Sequence, residues 1–254
     1  MKLYAIALNT LREMIRNRIL YALAFFGFLL IVVSAMLATA SVGETTKFIQ
    51  DFGLLSISLI CAVSATSAGA NLVGREIGKK TIHNILSKPI SRKEFLLGKY
   101  LGLCATLTLL SFLMTAGLMA FLTAFDQKIH WHLITALYFI FLETLLIAAI
   151  ALFFSTILVT PAVVALSVLG VFIAGRSFGN VEAFFRPGAG RVGNILLDVF
   201  GIVLPRLDRL ALSDRIVYRV PLPGETFLIA PFYTLAYCAL IVLLATLIFQ
   251  KREF

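Results

Sequence analysis

Charge is scarce in this chain of 254 residues: Asp, Glu, Lys and Arg make up 14%, against 60% hydrophobic residues and a mean hydropathy of +0.99. Soluble globular domains carry about 25% charge, so a water-exposed fold is excluded and a chain that crosses a membrane repeatedly is implied. Cysteine and histidine are rarer still, three of each. Cys61, Cys104 and Cys238 fall inside apolar runs without C-x-x-C or metal-type spacing, and read as small packing residues. His83, His130 and His132 are scattered, and His130-Trp131-His132 at a run edge reads as an interfacial anchor rather than a metal site. H-E-x-x-H, G-x-S-x-G and D-x-[DN]-x-[DN]-G are all missing, which removes support for zinc proteolysis, hydrolase-type nucleophiles and EF-hand calcium binding. Gly74 to Thr81 imitates a phosphate-binding loop. It fails on register, because its glycines are one residue too close, Lys80 stands where Ser or Thr would hold magnesium, and no strand precedes it. Internal repeats and low-complexity tracts are also lacking.

What is present is apolar length. Runs at 19–40, 52–73, 101–125 and 228–249 each meet the roughly 20 residues a bilayer requires. The stretch 133–174 is twice that length with one charge, and Ser155, Thr156, Thr160 and Pro161 offer it a turn, giving spans at 133–154 and 158–175. The expected fold is therefore all-α, a single polytopic membrane domain of six spans. Residues 1–18 precede the first span. Lys2, Asn9, Arg12, Glu13 and Arg16 share one arc of a helical wheel, with Leu3, Ile6, Ala7, Leu11, Met14 and Ile15 opposite, as expected of a helix in the membrane surface. The first apolar run is too long for a cleavable signal despite its Ala38-Thr39-Ala40, so it reads as the first span.

Basic residues orient the chain. Residues 1–18, 74–99 and 250–254 hold 4, 7 and 2 of the 22 Lys and Arg, whereas the two short opposite loops hold only Lys47 and Lys128. Both termini are expected to be cytoplasmic in a cell-membrane protein. Seven arginines in 176–226 oppose this count, balanced in part by Glu182, Asp198, Asp208, Asp214 and Glu225. The basic pI suits an anionic leaflet, and the expected partner of that charge is membrane lipid, with no nucleic acid. Within the outer segment 176–226, residues 194–204 are apolar over half a membrane thickness and end at Pro205, which favours a short re-entrant or interfacial helix.

Two features invite a functional reading. Glu143 stands nearly alone among ionisable groups at mid-span depth, either as a translocation-pathway group or as a polar contact inside the bundle with a neighbouring Ser or Thr. The loop 74–99 carries seven Lys or Arg against two Glu, with Ile77, Thr81, Ile82, Ile85 and Leu86 at helical spacing. Pro89 should stop this short helix near Ser87, and Ser91 with Glu94 spells a capping box that starts the next one.

Glu76, Thr81, Ile82, Leu86, Pro89, Arg92, Phe95, Gly98 and Lys99 read together as E-x4-T-I-x3-L-x2-P-x2-R-x2-F-x2-G-K. This resembles the cytoplasmic-loop signature of the type-2 permease class of ATP-binding-cassette exporters, including small six-span permeases linked to multicopper-enzyme maturation. Lys80 stands where that signature usually has Gly. The resemblance implies a transmembrane subunit that is not itself catalytic, with no cofactor of its own. Two cytoplasmic ATPase subunits would carry ATP and magnesium, a second permease copy would complete the pathway, and an extracytoplasmic accessory protein would fit the outer face. It also implies that the loop helix is a coupling helix, in which Ile82, Ile85 and Leu86 anchor and Arg75, Lys79, Lys80 and Arg92 orient. A membrane-embedded enzyme and a non-transporting scaffold or assembly factor are the alternatives.

Overall fold

The computed structural model describes residues 2–38, 44–72, 91–158, 160–188 and 190–251. Among them the chain is all helical: α1 (Lys2–Ile15), α2 (Arg18–Ala38), α3 (Thr45–Leu72), α4 (Arg92–Asp126), α5 (His132–Ile157), α6 (Pro161–Phe185), α7 (Arg191–Val203), a 3-10 turn (Leu207–Arg209), α8 (Ser213–Val217) and α9 (Thr226–Lys251). Six of these, α2 to α6 and α9, are long and apolar enough to cross a membrane. The loop helix expected at 77–87 lies outside the described residues.

Helix ends follow local chemistry. Ser91 caps α4: its Oγ accepts from the Glu94 amide at 3.2 Å, and the Glu94 carboxylate accepts from the Ser91 amide at 2.9 Å, the reciprocal box the sequence spells. The helix α5 ends at Ile157 with Leu158 extended as its cap, and Pro161 takes the first position of α6, where its missing N–H costs nothing. Pro231 inside α9 would leave the Phe227 carbonyl orphaned, an expensive state in hydrocarbon. The Tyr138 hydroxyl of α5 donates to that carbonyl at 3.0 Å, turning the defect into an interhelical bond.

Lipid tails are as apolar as leucine, so close backbone approach holds such a bundle together more than water exclusion does. The helices α3 and α5 are its most enclosed members, and α3 touches α2, α4, α5 and α6. Gly69 of α3 lies directly on Ala151 of α5, with no room for a side chain between them. A G-x-x-x-G pair on α4 seats α1 in the same way. A Cβ on Gly98 would lie 2.7 Å from Cβ of Ile6, and one on Gly102 would lie 2.6 Å from the carbonyl of Ala7. Thr10 and Met14 are buried on this face, so α1 spends part of its apolar side on α4 as well as on the membrane surface. Replacing Gly102 by Leu is expected to prise α1 off at a cost of about 1–3 kcal/mol. A lowered melting temperature, with a cysteine at Thr10 becoming reactive, is the expected result; an unreactive Thr10→Cys and an unchanged melting temperature would refute the contact.

A second G-x-x-x-G pair, Gly175 and Gly179 on α6, seats the outer cap. The Pro205 carbonyl lies 2.5 Å from a Cβ built on Gly175, and Asp208 Oδ2 lies 2.7 Å from one on Gly179. Ion pairs lace this cap: Arg206 to Glu182 at 2.6 Å and to Asp208 at 3.4 Å, and Arg186 to Glu182 and Asp198 at 2.8 Å each. Three of the seven arginines in 176–226 are paired with acids, Arg186 and Arg206 within this cap and Arg176 with Glu143 of α5. The helix α7 lies outside the core with no buried residue, and its Val192, Leu196, Val199 and Val203 are exposed, as an interfacial position requires.

Candidate functional site

Glu143 is the twelfth residue of α5, Ser58 the fourteenth of α3 and Arg176 the sixteenth of α6, so all three stand near mid-helix. Their side chains meet. The Ser58 hydroxyl donates to Glu143 Oε2 at 2.7 Å and accepts from Arg176 Nη1 at 2.7 Å, while Nη1 lies 3.6 Å from Glu143 Oε1. One hydroxyl, which has one proton and two lone pairs, therefore bridges a cation and an acid. Glu143 is 2% exposed and Arg176 25%, so the cluster extends from the enclosed heart of the bundle toward its surface. The Arg176 guanidinium also lies over the Phe172 ring, 5.8 Å from its centroid, an arrangement that offsets part of its desolvation.

Sequence reading found Glu143 and a Ser partner in kind, but missed Arg176. The hydropathy boundary falls at 175 because Arg176, Asn180 and Glu182 are polar, whereas the helix continues to Phe185. A usable signal was present. No proline interrupts the chain between Pro161 and Pro187, and its glycines are isolated, so helix continuity argued for including Arg176 even where hydropathy did not.

The basic-loop motif is divided by the described residues. Arg75, Glu76, Lys79, Lys80, Thr81, Ile82, Ile85, Leu86 and Pro89 lie outside them. Its C-terminal part is described, and its residues divide between two neighbours, Arg92 and Phe95 meeting α9 and Gly98 and Lys99 meeting α1. Arg92 Nη1 donates to the Phe249 and Gln250 carbonyls, each at 3.2 Å, satisfying acceptors that the end of α9 leaves open. Phe95 stacks on buried Phe249 with centroids 6.3 Å apart. Gly98 receives α1, and buried Lys99 lies 3.6 Å from Glu13 of α1 and over the Phe95 ring. The first turns of α4 thus clamp both the N-terminal helix and the last span.

At the opposite end of the bundle the His-Trp-His triplet divides its work. The amide of Gln50 donates to His130 Nδ1 at 3.0 Å and accepts from His132 Nε2 at 3.0 Å, while His130 Nε2 lies 3.5 Å from Asp126. Trp131 is exposed, so only that residue of the three has the environment of an anchor; the imidazoles join α3, the end of α4 and the start of α5. No cluster of three or more His, Cys, Asp or Glu suited to a metal occurs among the described residues. Cys61, Cys104 and Cys238 are free and buried.

A family model described as ABC-2 family transporter protein matches residues 4–181, more than two-thirds of the chain. The match takes in α1 to α5 and most of α6, including all three members of the mid-span cluster. No curated protein matches the chain.

Proposed function

The chain belongs to the ABC-2 transporter family, and from that premise we propose that it is the permease of an ATP-driven exporter, working as a dimer with two separate ATPase subunits. A multi-pass membrane component of an ABC transporter has an ABC ATPase as its partner and is typically not catalytic itself. The observation that carries the finer reading is the clamp at the start of α4. The first turns of α4, through Arg92, Phe95, Gly98 and Lys99, are fastened to α9 and α1 at once. A rigid-body push delivered to the start of α4 therefore reaches three helices, α4, α1 and α9.

In this reading Ile82, Ile85 and Leu86 seat the loop helix in the ATPase. Arg75, Glu76, Lys79, Lys80 and Thr81 set its orientation and encounter, and Pro89 ends it before the Ser91 cap. ATP and magnesium reside on the partner. Both termini and the loop face the cytoplasm, and the cap from Arg186 onward faces outward, where an accessory protein would meet it. The narrower likeness to permeases of multicopper-enzyme maturation rests on the loop motif and the six-span layout. Glu143, Ser58 and Arg176 are the polar contact across which α3, α5 and α6 change their relation during alternating access.

Inside-out membrane vesicles test the assembly and its orientation together. Affinity-purified permease is expected to bring down an ATPase whose hydrolysis of externally added ATP depends on the permease. A cysteine at Arg191 is expected to be shielded from an impermeant reagent in the same vesicles. Recovery without any nucleotide-hydrolysing subunit would favour the scaffold reading, and labelling of the Arg191 cysteine would invert the topology.

A further inference from the structure

Beneath the elbow that joins α1 to α2 lies a cavity of about 370 Å³, bounded by the end of α1, Arg18 at the start of α2, the end of α3 and Lys99 of α4. Arg16, Arg18 and Lys99 line it with a single acid, Glu13, so it carries an excess of positive charge. Lys99 is 5% exposed, a buried ammonium whose position is fixed by Glu13 at 3.6 Å. Met14 and Leu72 supply an apolar floor. Beyond Arg18 the helix α2 exposes large apolar side chains to its surroundings, among them Ile19, Tyr21, Phe25 and Phe26.

Depth narrows the ligand. Arg18 opens the first span and Leu72 closes the second, so the cavity sits at the headgroup level of the leaflet on which α1 lies. Cations at that level attract anionic lipid, and long side chains such as Lys99 can bury their stems while their charge remains in the polar layer. We propose that this cavity binds the phosphate of an anionic phospholipid, gripped by Arg16, Arg18 and Lys99, with the acyl chains lying along α2. The site does not depend on the transport reading. Its effect would be to lock the elbow of α1 against α3 and α4.

Native mass spectrometry of the purified full-length protein, with phosphatidylglycerol or phosphatidylcholine supplied in mixed micelles, tests this. Retention of phosphatidylglycerol over phosphatidylcholine is expected in the wild type. Arg16→Gln with Arg18→Gln should weaken it about thirtyfold, roughly fivefold for each cation. Both residues are exposed, so this variant should fold. Arg12→Gln with Lys93→Gln removes the same charge from exposed positions that do not line the cavity, and should leave retention unchanged. Equal loss in both double variants would reduce the effect to general surface charge and overturn the proposal. Displacement of the lipid by millimolar inorganic phosphate would also overturn it, identifying the cavity as a soluble-anion site.

Discussion

Glu143→Leu is expected to destabilise the protein by about 3–5 kcal/mol, because it strands the Arg176 guanidinium against α3 without its counter-charge. It also removes the acceptor of the Ser58 hydroxyl. Glu143→Gln should cost less. The amide oxygen can still accept from Ser58 and keeps an acceptor beside Arg176, which Leu does not. The informative variant is Glu143→Gln with Arg176→Gln, which removes both charges and keeps hydrogen-bonding groups at both positions. Replacing a whole buried ion pair is often close to neutral whereas removing one partner is not, so the double variant should be more stable than Arg176→Gln combined additively with Glu143→Gln. Thermal unfolding of the four proteins in detergent measures the coupling. Strictly additive losses would mean that the 3.6 Å pairing carries no energy. A double variant that folds and holds its ATPase but no longer moves substrate would promote the cluster from a polar contact to a pathway element.

The same cluster shows where sequence ceases to be informative. Six spans were legible because apolar length is a local property, and the capping box at Ser91 and Glu94 was legible because its two partners are three residues apart. The turn near Pro161 was legible for the same reason. Arg176 was not, since its partners lie 33 and 118 positions away and hydropathy registers only the polarity of its neighbours. The two G-x-x-x-G pairs, Gly98 with Gly102 and Gly175 with Gly179, were visible as letters. What they receive, one the N-terminal helix and the other the outer cap, depends on a fold that brings those backbones together. His130 and His132 illustrate a third limit. Position at a run edge suggested anchoring, but a glutamine from another helix occupies both rings.

Leu86→Asp should separate the permease from its ATPase. On the proposed loop helix, Ile82, Ile85 and Leu86 share the apolar face, and an aspartate there would enter the subunit contact as an unpaired charge. Removing a rim cation has a different consequence: Lys79→Ala and Lys80→Ala should mainly slow encounter and sharpen salt sensitivity, leaving the assembled complex largely intact. The effect of Leu86→Asp should also differ from that of Arg92→Ala. Arg92 grips the Phe249 and Gln250 carbonyls, so its loss is expected to loosen α9 within the permease and to lower thermal stability with the ATPase still bound. Co-purification and permease-dependent ATP hydrolysis, read beside the melting temperature, separate the three cases. Leu86→Asp should lose both assembly and hydrolysis at an unchanged melting temperature. If it retains both, the loop does not seat the ATPase, and a basic segment resting on anionic headgroups becomes the better account of residues 74–90.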